Sequence, residues 1–212
     1  MKLFLKRDAR LGLICLLYIL ISIPLYFILN HFIYGWLAWN LFLACLPLLF
    51  STLARTAKEC TNTPMFIVTI LFWLIFYPNA PYMITDFIHV SSLGFNSYFT
   101  VLKDIIAWFG LVYMTVGIVL GILIGILSLD NIVQLINDTK RRNIAVIIVS
   151  IISGYALYIG RFLRFNPVPL IKALIQDFSM FTILFSLLFA AYIMSSYWIY
   201  SILKKTNNKR IE

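Results

Sequence analysis

The residues able to do chemistry in this sequence gather around one interruption. An apolar run from Pro64 ends at Tyr77, and Pro78-Asn79-Ala80-Pro81 follows it. Proline has no N–H and its ring obstructs the preceding turn, so this spacing predicts a helix that breaks and restarts near Asn79. A helix start at a membrane edge presents unbonded N–H groups and the positive end of a dipole, a setting that suits an anion. Tyr82, Asp86 and His89 then recur at i, i+4 and i+7, one face of an α-helix. Further on, Arg161 and Arg164 stand at i and i+3, with Tyr158 one turn before them. Guanidinium forks suit phosphate or carboxylate. An Asp–His pair can move a proton near neutral pH, which makes Asp86 and His89 the catalytic candidates. Asn40, Asn79, Tyr82, Asp86, Tyr158, Arg161 and Arg164 are the ligand-binding candidates.

An architectural reading stands beside the functional one. Asp86 and Arg161 can pair simply to close a helical bundle, and Pro78 and Pro81 can simply end a helix. His89 can be a solvated interface residue, and Arg164 can snorkel to headgroups. Asn40 can serve as an interhelical hydrogen bond. His31, in a short loop with Asn30, carries the weakest case. Two histidines and scattered carboxylates make no metal-ligand spacing, and there is no HExxH, GxSxG or phosphate-loop pattern, so neither a metal nor another cofactor is implied.

The elements that position these residues follow from composition. Of 212 residues, 62% are hydrophobic and 12% charged, against about 25% charged in soluble domains. One aqueous core cannot hide that much apolar surface, so the excess faces lipid. The expected fold is an all-α polytopic transmembrane bundle in a single domain. Its spans fall near residues 11–29, 33–54, 64–90 (broken near 78–81), 105–127, 144–160 and 178–203. The third is the least regular. Its uninterrupted apolar run covers only about 21 Å at about 1.5 Å per residue, short of a bilayer core of about 30 Å. By the same rise, Asp86 lies about 33 Å beyond Pro64 and Arg161 about 28 Å beyond Arg142, with Asn40 about 10 Å inside the second span. All three come to one end of the bundle.

The basic residues give orientation. Alternate loops and tails carry 13 Lys and Arg on one side and 4 on the other, which puts both termini in the cytoplasm and the polar residues at the outer face. The net charge of +9 is thereby read as topology and contact with anionic lipid rather than nucleic-acid binding. The basic N-terminus followed by Leu11 resembles a signal peptide. Its apolar run is too long and lacks a small-residue cleavage site, so it is read as a retained first helix. Cys15, Cys45 and Cys60 are scattered and suggest no disulfide framework.

Ser128–Asp138 and Val168–Phe178 are amphipathic and predict short helices lying at an interface. Gly117, Gly121 and Gly125, four residues apart, form a close-packing stripe that offers a face to another helix or a membrane-protein partner. No internal repeat is visible, which counts against common transporter folds.

Three blocks resemble a known family. Trp39-Asn40-Leu41-Phe42-Leu43-Ala44 with Pro47 is the first, and Phe76-Tyr77-Pro78-Asn79-Ala80-Pro81-Tyr82 with Thr85-Asp86 the second. Gly160-Arg161 with Arg164, Phe165 and Asn166 is the third. Over residues 36–166 they resemble the membrane-protein family called domain of unknown function 1361. The resemblance implies a bacterial multi-pass protein of the cell membrane and supplies no catalytic residues.

Three classes of function remain. One is an enzyme or binding protein for an anionic, lipid-linked or envelope substrate at the outer leaflet. Another is a small transporter or channel. The third is an assembly or partner subunit without chemistry of its own.

Overall fold

The structure is a computed structural model describing residues 2–95, 104–163 and 179–208. Every element in it is helical. The order is α1 (Lys2–Ile28), α2 (Phe32–Glu59), α3 (Thr63–Phe76), α4 (Asn79–Tyr82) and a 3₁₀ stretch (Met83–Leu93). Then come α5 (Ile105–Val133), α6 (Thr139–Tyr158), a π-helical turn (Ile159–Leu163) and α7 (Met180–Asn208). Six segments are long and apolar enough to cross a membrane, with α3, α4 and the 3₁₀ stretch counted as one. The chain is thus an all-α, multi-pass membrane protein.

Local chemistry starts these helices. Asn62 Oδ1 accepts the Met65 N–H at 3.1 Å, with Pro64 in the first turn. Asp104 Oδ1 caps α5 by accepting from Ile106 at 2.9 Å and Ala107 at 3.3 Å. Asp138 caps α6 through Lys140 at 2.9 Å. Each cap satisfies N–H groups that the first turn leaves without partners. Pro24 and Pro47 sit inside α1 and α2, where neighbouring helices make such interruptions tolerable.

α2 is the hub, packed along α1, α3 and α5. α6 and α7 pair closely with each other and touch the remainder more sparsely. The main core joins α1, α2 and α5 around Tyr18, Tyr34, Leu41 and Met114. A second, smaller core gathers Trp73, Tyr77, Leu129, Val133, Val146 and Tyr197. Outward-facing residues are apolar too: Leu13, Leu16, Leu17 and Leu20 on α1 are each half exposed, as a lipid-facing surface requires.

Two expectations are corrected. Residues 128–138 do not lie on an interface as a separate helix. α5 continues through Val133, with Ser128, Leu129, Asp130, Asn131 and Val133 buried, because Leu129 and Val133 complete the second core. The glycine stripe is filled within the chain rather than left for a partner. A Cβ on Gly117 would meet the Tyr18 ring, one on Gly121 would run into Met83, and one on Gly125 would press on Ala80. The other expected interfacial helix, 168–178, lies outside the described residues.

The α6–α7 contact is the tightest. A Cβ on Gly154 would overlap the Ser186 carbonyl and come within 3.0 Å of the Ala190 nitrogen. Backbone cannot rotate away as a side chain can. Gly154→Ala should therefore destabilise the detergent-solubilised chain by about 1–3 kcal/mol. Gly12→Ala, which meets nothing within 4 Å, should leave stability level or slightly raised. Equal thermal midpoints for the two variants would contradict this close approach.

Candidate functional site

The sequence 78–81 acts through hydrogen bonds it removes. Pro78 and Pro81 donate none. The backbone nevertheless stays right-handed helical at Tyr77, Pro78, Tyr82 and Met83. The Ala80 N–H reaches Tyr77 O at 3.1 Å and the Tyr82 N–H reaches Pro78 O at 3.0 Å. Asn79 turns its amide back onto Phe76 O at 2.9 Å. The expected helix start with free N–H groups is therefore absent: those of Ala80 and Tyr82 are used internally, and Asn79 closes the preceding turn.

Beyond Tyr82 the winding tightens to 3₁₀. Ile84, Thr85, Ile88 and Val90 are β-branched and weak α-helix formers. Met83 at one end of this stretch seats on Gly121, and Leu93 at the other seats on Gly110. A 3₁₀ helix places i and i+3 in line, about 120° per residue. Asp86 and His89 consequently share a face with Met83, and Tyr82 looks elsewhere. The i, i+4, i+7 face expected of an α-helix is resorted.

That resorting gives Asp86 to α2. Its carboxylate is fully buried. Asn40 Nδ2 donates to both of its oxygens, at 3.0 and 2.9 Å. Trp36, one turn before Asn40, adds a weaker donor. The Trp36 and Phe32 rings also flank His89 edge-on, with centroids 6.1 and 6.2 Å away. Among the described residues, His89 Nε2 and Thr85 Oγ1 are buried without a hydrogen-bond partner. His31, which the sequence gave little weight, fastens this end. Its Nε2 donates to Ser92 O at 2.9 Å, and its Nδ1 accepts the Ile33 N–H at 3.3 Å. A single tautomer serves both bonds.

Tyr82 goes to the end of α6. Its hydroxyl accepts from Arg161 Nη1 at 3.4 Å, and its ring lies beside Gly160. Arg161 sits in the π-helical turn, a distortion frequent at functional sites. Among the described residues it forms no ion pair within 4.0 Å, although its charge acts on both Asp86 and His89. Tyr158 departs from the group. It is buried in an aromatic cluster, 5.2 Å from Phe162 and 6.0 Å from Phe185 between centroids, because the adjoining turn rotates it toward α7. Arg164 lies outside the described residues. Asn40–Asp86 and Tyr82–Arg161 are thus two neighbouring pairs at one end. Grooves of about 390, 420 and 400 Å³ run along α1 instead.

The opposite end holds a polar cluster that sequence reasoning missed. Asn131 Nδ2 donates to Asp8 at 2.8 Å and to Ser51 at 3.3 Å. Arg7 and Arg55 both donate to Asn131 Oδ1 at 3.0 Å. Arg7 also pairs with Asp8 at 2.8 Å. Asp130 takes Lys204 at 2.7 Å and Gln134 at 3.1 Å. The available signal was Asp130-Asn131 inside an apolar run, where a carboxylate demands partners. The cations had been assigned wholly to topology.

The family described as Protein of unknown function (DUF1361) matches residues 39–203, which take in all three blocks and the helices that carry them. No curated protein matches the chain, and no solved structure does.

The Asn40–Asp86 pair makes a quantitative claim. Asn40→Ala should destabilise by about 1–3 kcal/mol, because a buried carboxylate loses its amide donor. Adding Asp86→Ala should recover part of that loss, giving a coupling of about 0.5–3 kcal/mol in a thermal double-mutant cycle. Strict additivity would mean the two side chains do not meet.

Proposed function

We propose the following reading for a chain that belongs to the DUF1361 family: it binds the anionic group of a lipid-linked or cell-envelope molecule at the outer leaflet, with Arg161 as anchor. The observation that carries it is the state of Arg161. This guanidinium, half-buried at the end of a span, has the Tyr82 hydroxyl as its one hydrogen-bond partner among the described residues. A cation at that depth is expensive unless it is matched, and its remaining donors suit a phosphate or carboxylate. Asp86 and Asn40 fix the facing helix. Thr85 Oγ1 and His89 Nε2 supply unpartnered polar atoms on that helix, and His89 is the group suited to exchange a proton with the ligand.

The excess of Lys and Arg on alternate loops supports placing the Arg7–Lys204 end in the cytoplasm of a bacterial cell and the Arg161 end outside. The transporter and assembly-subunit readings have less behind them. The glycine face that would recruit a partner is filled by Tyr18, Met83 and Ala80.

The test is binding to the full chain in nanodiscs, with inorganic phosphate and a short-chain phosphatidate as probes. Arg161→Gln should weaken phosphatidate binding tenfold or more, since a charged hydrogen-bonded contact is worth about 1.5–3 kcal/mol. Arg161→Lys should retain part of it, and Tyr82→Phe should weaken it only a few-fold. If inorganic phosphate competes, the headgroup alone is recognised; if it does not, the lipid tail is part of the ligand. Undiminished phosphatidate binding by a folded Arg161→Gln protein overturns the reading.

A further inference from the structure

The end of the bundle away from Arg161 holds a groove between α1 and α5, of about 420 Å³. Its two parts differ in chemistry. At the mouth stand Lys6, Arg7 and Arg10, and no acidic side chain lines it. Below them the walls are apolar, with Ile14 from α1 facing Leu123 and Ile126 from α5. Ile14 is 50% exposed and Leu123 42%, so the slot opens sideways, where the lipid of a membrane would be. From Lys6 to Ile14 it extends about 12 Å along α1.

The three cations are held differently. Arg7 is fixed from behind by Asp8, Asn131 and Tyr200. Lys6 and Arg10 are exposed, and among the described residues no ion pair takes either one. One rigid guanidinium therefore stands between two adaptable cations. Arg7, Arg10 and Ile14 recur at i, i+3 and i+7, so a single helix face runs from cationic to apolar.

An apolar solute does not need that mouth, and a soluble anion does not need the slot. A second copy of the chain, with its own net charge of +9, would meet three cations with an excess of the same sign. The occupant that satisfies both parts is an amphiphile with an anionic head, which is also the chemistry that basic recesses between membrane helices select. We propose that the groove between α1 and α5 holds one anionic phospholipid, its phosphate among Lys6, Arg7 and Arg10 and an acyl chain along Ile14, Leu123 and Ile126. The site is independent of Arg161 and lies at the opposite end of the bundle.

Native mass spectrometry of the full chain tests it, with phosphatidylglycerol and phosphatidylcholine of matched acyl chains as competing probes. The unaltered chain should retain phosphatidylglycerol about tenfold or more in preference. The double variant K6Q/R10Q should lose most of that preference, since each basic residue near the headgroup contributes several-fold. R161Q should keep it. Leu123→Trp, or Ile14→Trp from the facing wall, fills the slot with the charges intact and should release both lipids. The proposal is overturned by equal retention of the two lipids, by an unchanged preference in K6Q/R10Q, or by a lipid-free dimer that Leu123→Trp dissociates.

Discussion

Helices in lipid gain little from pressing one apolar side chain on another, since the tails they displace are equally apolar. Closure must come from close packing and from polar groups that find no other partner. The amide of Asn131 is where that requirement concentrates. Its nitrogen reaches Asp8 on α1 and Ser51 on α2, and its oxygen takes Arg7 and Arg55. The neighbouring Asp130 draws in Lys204 on α7. Four helices meet through two consecutive side chains of α5. Taking away one member leaves a buried charge without its counterpart, which is far more damaging than losing an apolar contact. The charges of the N-terminal tail thus have a second task besides orientation: Arg7 fastens α1 to the bundle.

The other end is built on a different principle. There the chain leaves α-helical winding twice, as a 3₁₀ stretch of 11 residues and as a π-helical turn of 5. Runs of 3₁₀ helix beyond three or four residues are uncommon. Both departures carry the polar side chains of interest. Tighter winding swings Asp86 onto Asn40 and leaves Tyr82 for Arg161. His31 then straps the start of α2 to the end of the 3₁₀ stretch. The irregular backbone is therefore tied down, which a site needs if its groups are to hold their positions.

Legibility in the sequence follows the range of the interaction. The cap at Asn62 and the start at Pro64 were readable because a cap acts within three residues. The six spans were readable because lipid imposes composition along the whole helix. The convergence of Asn40, Asp86 and Arg161 on one end followed from helix rise alone. Their division into pairs did not, because it depends on a winding change imposed by Gly121 and Gly110 on a distant helix. The glycine stripe was visible as a packing surface, yet its occupants, Tyr18, Met83 and Ala80, belong to other helices. The Asn131 node was hidden for the same reason: its members lie as much as 123 positions apart.

These two ends bear on each other through the looseness of the α6–α7 pair. Arg161 rides on α6, which packs closely with α7 and sparsely on α5. Asp86 and Asn40 belong to the tightly packed α1–α5 assembly. The Tyr82–Arg161 contact, long at 3.4 Å, is the hydrogen bond seen between the two groups at this end. At the other end Lys204–Asp130 binds the same groups at 2.7 Å. A pair of helices anchored firmly at one end and weakly at the other has its freedom at the weak end. An anion held by Arg161 would add contacts there that the free chain lacks. Occupancy and closure of this end would then be one equilibrium, because a ligand shifts a conformation only by the contacts it makes in one state and not in the other.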